Sequence, residues 1–476
     1  MRKECDEQKE GVMAENDDEL ERLGLTGGLT RREIVRRGLG GFLVLYGGAF
    51  AKTAAAGVPK YRHRELKNTL RIMQWSHFVP AYDVWFDNVY TKNWGQKHDT
   101  DVKVDHINLA QLPARAQAEV AARSGHDIFG HLSPQAGLED RVINHREIIE
   151  EVQRKVGKVS IVGRKSCYNP KTKKWHGFPE NFAPDPIHYR RDLFKQVGVK
   201  SPNTWHDVLV AAPKLKAIGH PVGIGMSNEL DSNMALFALL MCFGGFVQTP
   251  DARVAINSKG TREALGFMRS LYRRGMTNEI FAWQAASNNQ GYLSGRLSLA
   301  VNAISIARSA EDMNPDLAKK TALLPIPKGP DRRLGLEHVM GVYTIWNFTS
   351  KSQQKLAKRF IADLEIHYAG AFKASQYYNF PAFPNAVYDY KKRLAADPHP
   401  PKGKYKILNT IAKSYTVNVG YPGFSNAAVD EIWNTWLIPQ MFADVAQGKK
   451  TPAEAARDAE RQMKAIFAKW RKRKKI

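Results

Sequence analysis

Cysteine is scarce in this chain of 476 residues, which contains three. Cys5 lies in an acidic amino-terminal stretch, which leaves Cys167 and Cys242 for the rest of the protein. Two cysteines do not make a disulfide framework, and a chain of this length can bury a sufficient core without one. Because their neighbours suit a strand and an apolar helix, we expect two buried free thiols.

Long apolar runs are also lacking beyond residue 57. The longest, Met234 to Phe243, has ten residues, whereas a membrane-spanning helix needs roughly 20. We interpret this run as a buried helix and expect the mature protein to be soluble.

The amino-terminal region has the pattern of an export signal. Arg31-Arg32 precedes an apolar stretch from Gly38 to Phe50, and the small residues Ala54-Ala55-Ala56 follow. This order is typical of a signal that is removed after export, and the paired arginines favour the twin-arginine route. About 13 apolar residues diluted by glycines are too few for a membrane anchor. The sequence therefore predicts a twin-arginine signal peptide with an acidic leader over residues 1–56, and a periplasmic or extracytoplasmic protein from Gly57 onwards.

Acidic residues are few for the basic content, with 47 Asp and Glu against 71 Lys and Arg. Residues 1–56 hold 9 of the basic and 10 of the acidic residues, so the remainder has 62 against 37, a net charge of +25. Such an excess can indicate nucleic acid, anionic membranes or anionic ligands. The charge is dispersed, however, and the cluster at residues 469–475 is explained by cations at a helix carboxyl end. No nucleic-acid-binding module accompanies it, so we expect no nucleic-acid binding.

Signatures of catalysis and of metal binding are lacking as well. The chain has no Gly-x-Ser-x-Gly, no His-Glu-x-x-His and no phosphate loop ending in Gly-Lys-Ser/Thr. Its 14 histidines are scattered without metal-ligand spacing. Ser352-Gln353-Gln354-Lys355 fits Ser-x-x-Lys, but a helix start explains it better. We expect no enzyme activity, no metal and no cofactor. An exported carbohydrate-active enzyme is the alternative from another class, because paired carboxylates converge only in three dimensions.

Short apolar runs alternate with helical patterns along the remaining chain of about 420 residues, which is long enough for two or three domains. Strands are predicted at Thr69–Trp75, Val102–Ile107, Asp127–Phe129, Leu297–Ile304 and Ala322–Pro330, and helices at Tyr82–Trp94, Leu112–Ser124, Arg141–Val156 and Val208–Ile218. Lys158 to Trp175 interrupts the alternation with a predicted hairpin, and Thr204 and Thr451 begin capping-box patterns. The alternation predicts an α/β protein with parallel strands covered by helices.

Several short segments occur in an informative order. They are Gln74-Trp75-Ser76-His77, Gly125-His126-Asp127-Ile128, Gly177-Phe178-Pro179, Ile187 to Phe194, Leu293-Ser294-Gly295-Arg296, Leu324 to Pro330, and Gln447 to Ala456. In this order, across essentially the whole chain beyond the signal, they resemble the extracellular solute-binding proteins of ABC importers. The resemblance is to the broad family that includes maltodextrin- and other sugar-binding members.

The resemblance implies a two-lobed, periplasmic-binding-protein-like (type II) α/β fold with a hinge of at least two chain crossings. Lobe one would comprise residues 68–185 and 341–392, and lobe two residues 186–340 and 393–476. A small solute would bind in the cleft, and hinge closure would present it to the transmembrane permease subunits of an ABC importer. We expect a monomer that binds its solute without chemistry.

Strand carboxyl ends and the loops after them line the cleft of such a fold. The candidate ligand-binding residues are therefore Trp75, Ser76, His77, Tyr82, Asp127 and His131 from lobe one, Tyr189, Trp283, Asn302, Ser305 and Arg308 from lobe two, Met340 and Gly341 at a return crossing, and Tyr421 and Phe424 in a late loop. The aromatic residues would contact the apolar faces of a sugar, and the polar ones would bind its hydroxyls.

The charge of the solute stays open at this point. A neutral sugar, oligosaccharide or polyol is the leading expectation. An anionic solute, such as a sugar phosphate or a uronic acid, is the alternative, and Arg308 is its candidate ligand. A cationic solute would need carboxylates at the cleft, and the sequence indicates few there.

Overall fold

The structure is a computed structural model that describes residues 66–476. The predicted signal peptide and Cys5 lie outside the described residues. The strands are β1 (Asn68–Trp75), β2 (Thr100–Ile107), β3 (Ile128–His131), β4 (Tyr168–Asn169), β5 (Lys174–Trp175), β6 (Phe178–Phe182), β7 (Pro186–Arg190), β8 (Val222–Gly223), β9 (Leu299–Val301), β10 (Thr321–Pro325), β11 (Gly335–Leu336), β12 (Met340–Thr344), β13 (Phe380–Pro381) and β14 (Thr416–Val417).

Helices cover both large sheets. They are α1 (Pro80–Trp85), α2 (Thr91–Lys97), α3 (Leu112–Ala122), α4 (Arg146–Val156), α5 (Ile161–Cys167), α6 (Arg191–Gln196), α7 (Trp205–Ala217), α8 (Leu230–Cys242), α9 (Lys259–Gly275), α10 (Ser287–Leu293), α11 (Ser305–Met313), α12 (Pro315–Lys320), α13 (Lys351–Ile366), α14 (Ala369–Ala374), α15 (Tyr390–Ala395), α16 (Ile407–Thr410), α17 (Ala427–Asn434), α18 (Leu437–Ala446) and α19 (Pro452–Lys472). Within residues 66–476, no helix combines the length and the apolar character needed to cross a bilayer.

Two mixed sheets form the framework. Sheet I has the strand order β13-β6-β12-β3-β1-β2, and sheet II has the order β10-β7-β9-β8. The predicted parallel pairing holds for β1 with β2 and β3, and for β8 with β9. The strands β12 and β7 instead run antiparallel to both of their neighbours. The reason is that each of these strands begins where the chain enters its sheet from the other one.

The chain passes between the two sheets three times. Residues 183–185 join β6 to β7, and residues 326–339 lead from β10 to β12. The third passage follows β13 and leads to α16, which packs on β10. These passages agree with the expected hinge of at least two crossings. The predicted boundaries of the two lobes stay a prediction.

Local sequence signals account for most of the elements. Thr204 forms the predicted capping box with Asp207 at the start of α7, and Thr451 forms another at the start of α19. The run from Met234 lies in α8, whose residues after Leu230 are all buried. Cys167 and Cys242 are buried free thiols, as expected.

The predicted hairpin from Lys158 to Trp175 is wrong in its first half. Residues 161–167 form α5, because the Ser160 hydroxyl accepts a hydrogen bond from the Gly163 N–H at 3.1 Å and caps a helix. Only the two-residue strands β4 and β5 remain of the hairpin. The predicted helix from Arg141 likewise begins later, at Arg146, because a 3-10 turn occupies residues 136–141.

Candidate functional site

The carboxyl end of β1 carries a cluster of aromatic rings. The His77 ring lies 4.6 Å from that of Trp75 and 5.1 Å from that of Tyr378, measured between centroids. The Val79 N–H donates to His77 Nδ1 at 2.8 Å, so Nε2 carries the proton and donates to Asn379 Oδ1 at 3.1 Å. Burial lowers the pKa of His77 to about 4, which keeps the ring neutral at pH 7. We call Trp75, His77 and Tyr378 the aromatic wall.

Charged groups behind β1 hold this wall in place. Asp83 accepts a hydrogen bond from the His77 N–H at 2.9 Å. His106, near the end of β2, contacts the Trp75 carbonyl through Nδ1 at 3.3 Å and Asp87 through Nε2 at 2.9 Å. Burial opposes protonation of His106, but the bond to Asp87 and the charge of Asp83 raise its pKa to about 9. The His106 imidazolium therefore links the carboxyl ends of β1 and β2 to the helical residues Phe86–Tyr90.

Tyr82 lies beneath the wall, and its hydroxyl points into the core of sheet I. It donates to Glu180 Oε1 at 3.3 Å, and the Tyr368 hydroxyl donates to the same oxygen at 3.1 Å. Burial raises the pKa of Glu180 to about 7. Beside these groups lies a cavity of about 10 Å³, lined by Trp75, Tyr82 and Gly341 among others, with room for about one water molecule.

Gly341 allows a close approach of side chain to backbone in this region. A Cβ at this position would lie 2.6 Å from Asn181 Nδ2 of the neighbouring strand. Glycine is therefore required for Asn181 to keep its place against β12. Met340, one residue earlier, is buried, and its N–H donates to the Leu132 carbonyl at 3.2 Å.

Amide side chains gather where β9 ends in sheet II. The Asn302 Nδ2 group donates to Asn289 Oδ1 at 2.6 Å and contacts Asp231 Oδ2 at 3.3 Å. Asn289 in turn donates to the Ser305 hydroxyl at 3.0 Å. The predicted pair Asn302 and Ser305 thus belongs to one buried polar network.

Trp283 covers the loop that follows β8. A Cβ on Gly223 or Gly225 would lie 3.0 or 3.4 Å from the indole ring of Trp283. Both glycines therefore leave room for this ring. The same loop leads to Glu229, whose side chain accepts hydrogen bonds from the N–H groups of Asp231 and Ser232 at the start of α8. Trp283 therefore lies beside the acidic start of α8.

An imidazolium at the crossings joins two carboxylates. His338 Nδ1 lies 3.2 Å from Asp185 Oδ1, and His338 Nε2 lies 3.2 Å from Asp231 Oδ1. Although burial opposes it, these two charges raise the pKa of His338 to about 10. Burial, followed by the charges of Asp231 and Asp185, raises the pKa of Tyr378 well above its usual value, so these carboxylates act electrostatically on the aromatic wall. We call Asp185, Glu229 and Asp231 the acidic wall.

Sequence reasoning missed the acidic wall, His338 and Tyr378. Asp185 and Asp231 had a usable signal, since Asp185 follows β6 directly and Asp231 begins the helix after β8. The expectation of few carboxylates at the cleft did not include these three buried carboxyl groups, which lie at the first crossing and at the start of α8. Ser76 is exposed beside the aromatic wall.

Three of the predicted site residues have contacts that give them structural roles. Asp127 precedes β3, at the edge opposite to the strand carboxyl ends, where it accepts from the Arg71 N–H at 2.8 Å and fixes its turn. His131 lines the same small cavity as Trp75 and Tyr82, but its ring contacts the Thr344 hydroxyl at 2.9 Å and packs on Phe129. Tyr189 packs on Phe194 in the middle of sheet II. The chain enters β7 from the crossing at the amino end of this strand, and Tyr189 lies near the other end.

Arg308 has its guanidinium fully engaged by the protein itself. It bonds Glu311 at 2.9 Å, Asp397 at 2.8 Å and the Gln376 carbonyl at 3.0 Å, and it lies 3.8 Å from the centroid of the Tyr405 ring. The expectation that Arg308 would bind an anionic solute is therefore corrected. Glu311, Asp397 and His399 converge closely enough for a metal ion. Arg308 and Lys404 already pair with these carboxylates, however, so the group is an ion-pair network.

Tyr421 and Phe424 occupy a separate loop. Gln248 donates to the carbonyls of Gly420 and Phe424 at 2.6 and 2.8 Å. The Lys165 ammonium lies 5.9 Å from each of the two rings. These contacts connect the loop to α5 rather than to the aromatic wall.

The sequence model of the family described as bacterial extracellular solute-binding protein matches residues 85–362, which is more than half of the chain. A curated binding protein of Brucella abortus (strain 2308) is 24% identical over 161 residues. That match spans 33% of this chain and 39% of the length of the relative.

Solved structures share the fold at low sequence identity. The maltose-bound MalE3 of T. maritima has a TM-score of 0.70 at 17% identity, over 84% of this chain and 99% of that one. A sugar transporter from Arthrobacter chlorophenolicus A6 with bound laminaribiose gives 0.69 at 15%, over 84% and 99%. An ABC transporter solute-binding protein from Agrobacterium radiobacter K84 in complex with ribitol gives 0.68 at 15%, over 85% and 100%.

These likenesses confirm the expected two-domain α/β binding-protein fold, and the family match agrees with it. The chain belongs to the family of bacterial extracellular solute-binding proteins.

Proposed function

We propose that the protein is the extracytoplasmic solute-binding component of an ABC importer and that it captures a sugar or polyol between two lobes. The observation that carries this proposal is the pairing of aromatic rings at the carboxyl end of β1 with a buried amide and carboxylate, Asn302 and Asp231, at the carboxyl end of β9. Flat rings fit the apolar faces of a sugar, while fixed amide and carboxylate groups bind its hydroxyls. The relatives with bound maltose, laminaribiose and ribitol support the same class of solute.

The mechanism is capture without chemistry. Residues 68–185 with 341–392 form one lobe, and residues 186–340 with 393–476 form the other. The solute binds one lobe in an open form, and bending at the three crossings completes the site with the other lobe. A membrane permease then receives the solute from the monomeric protein. Export through the predicted twin-arginine signal brings the protein to the compartment in which it acts.

Small-angle scattering with and without saturating solute tests the closure. A thermal-shift screen of neutral sugars, polyols, sugar acids, sugar phosphates and amines identifies the solute, since a ligand at about 100 times its Kd adds about 2.7 kcal/mol of stability. Trp75→Leu should weaken binding, whereas the control Tyr388→Leu, at a side chain that is 87% exposed, should not. An unchanged radius of gyration with a solute that does bind would contradict the closure.

The enzyme alternative has its own test. Incubating the purified protein with oligosaccharides should leave them intact. Product formation that Asp231→Asn abolishes would replace the binding proposal with a hydrolytic one.

A further inference from the structure

The acidic wall carries more negative charge than its surroundings neutralise. Asp185, Glu229 and Asp231 are 0%, 7% and 8% exposed. Within residues 66–476, the ion pairs of these carboxylates involve His338, with no lysine or arginine among their partners. Asp185 and Asp231 therefore share one imidazolium, and Glu229 adds a third buried carboxyl group that does not pair with it. Buried carboxylates without a matching cation are costly, so a bound cation would relieve this site.

Unpartnered polar atoms lie at the same place. The Tyr378 hydroxyl is fully buried and, within residues 66–476, has no hydrogen-bond partner. The same holds for Asp185 Oδ2 in this part of the chain. Buried polar groups almost always have a partner in protein, water or ligand. The Tyr378 hydroxyl can donate a hydrogen bond and Asp185 Oδ2 can accept one. A ligand that carries both an acceptor and a donor would satisfy the two atoms.

The aromatic wall adds a second feature that suits a cation. Tyr378 contributes both its ring, packed 5.1 Å from His77, and a buried hydroxyl whose pKa is raised by burial and by the charges of Asp231 and Asp185. Aromatic faces attract ammonium groups, and the attraction grows when water is excluded. Aromatic rings and buried carboxylates that act on one another electrostatically are therefore suited to an ammonium group attached to a carbon skeleton.

We propose that the solute carries a protonated amine on a polyhydroxylated skeleton, as in an amino sugar or amino polyol, and that Asp231 and Asp185 bind this ammonium group beside Tyr378. The inference rests on the proposed function, because it uses the same cleft. The ammonium group donates to the carboxylates, and a hydroxyl of the solute accepts from Tyr378. A neutral or anionic sugar leaves the charge of the acidic wall uncompensated.

A supporting property of Glu229 provides a second readout. Burial, together with the charge of Asp231, raises the pKa of Glu229 to about 8, so this group holds a proton at pH 7. A cation bound at Asp231 favours the ionised form of Glu229 and releases protons. Calorimetry in buffers of different ionisation enthalpy should detect this release for an amine and not for its neutral counterpart.

Matched pairs of compounds test the charge directly. Glucosamine is compared with glucose and with N-acetylglucosamine, and glucamine with sorbitol, by calorimetric titration of the purified protein. The amine should bind about tenfold or more tightly than its neutral counterpart, since hydrogen bonds to charged groups contribute about 1.5–3 kcal/mol. Asp231→Asn should remove this preference. The control Asp316→Asn, at a side chain that is 82% exposed, should keep it.

Tyr378→Phe keeps the experiment decisive if Asp231→Asn fails to fold. Its hydroxyl has no partner within residues 66–476, so the variant should fold and should bind the amine more weakly. If the neutral counterparts bind as tightly as the amines and compact the protein, the amine inference is overturned and the proposed function stands. If neither sugars nor amines bind, both are overturned.

Discussion

Arg308→Met is expected to destabilise the protein strongly. The guanidinium is buried and bonds the carboxylates of Glu311 and Asp397, while also holding the Gln376 carbonyl on the sheet I side. Methionine retains much of the apolar length of arginine but none of its charge. The substitution therefore leaves two buried carboxylates with a single strong cation, Lys404.

The magnitude follows from the burial of these groups. Removing one partner of a buried ion pair costs about 3–5 kcal/mol, and the remaining pair with Lys404 argues for the lower end. The unfolding entropy of about 410 residues is about 0.9 kcal/mol/K. A loss of about 3 kcal/mol should therefore lower the thermal midpoint by about 3 °C.

The assay is thermal and urea unfolding followed by tryptophan fluorescence. Arg296→Met is the matched control, because Arg296 forms an exposed ion pair with Glu279 that should contribute at most about 1 kcal/mol. A loss at Arg308 no larger than that of the control would refute the assignment of Arg308 to a structural network. Loss of affinity for an anionic sugar without loss of stability would restore the anion-binding role.

Three further substitutions test other parts of the structure. Glu180 has a pKa raised by burial from 4.5 to about 7, so the folded protein binds this proton more tightly than the unfolded chain. The contribution of Glu180 to the free energy of unfolding is full below about pH 4.5 and falls by about 3 kcal/mol as the pH rises through 7. In urea unfolding at a series of pH values, Glu180→Gln should flatten the dependence of this free energy on pH between 4.5 and 7. An unchanged slope would argue against a buried acid. Thr204→Ala removes the capping box with Asp207 and should lower the free energy of unfolding by about 1 kcal/mol, whereas Thr204→Ser should retain most of it. Gly341→Ala forces a Cβ against the Asn181 side chain and should cost about 1–3 kcal/mol in the same assay; a neutral result would show that this side chain moves aside.

The sequence predicted those elements whose signals are local. The strand β1 is a short apolar run, the segment of β2 alternates in sequence, α8 is a continuous apolar run, and the capping box before α7 needs only four residues. The hairpin prediction failed because the cap at Ser160 outweighed the strand-like composition after it. Mixed strand direction could not be predicted, because it depends on which sheet the chain leaves before each strand.

The site was predicted as far as the rule of strand carboxyl ends applies. This rule correctly places Trp75 and Asn302 at strand carboxyl ends, because their strands run parallel to a neighbour, and their role in binding stays a prediction. It failed for Tyr189, whose strand is antiparallel to both neighbours. Tyr378 and His338 lie in irregular segments, and only the crossings bring them to the acidic wall. Their role depends on contacts between distant parts of the chain, for which a single sequence has no local signal.

The position of β12 in the middle of sheet I has a consequence for folding. Phe129 of β3 and Thr344 of β12 are paired although 215 residues separate them. Until β12 has been synthesised, β3 lacks a neighbour on one side and β6, between β12 and β13, lacks neighbours on both, and unpaired strand edges invite aggregation. Pairings this distant in sequence also slow folding. A chain that ends before residue 340 would expose one edge of β3 and both edges of β6, so the completion of sheet I has to wait for the last third of the protein.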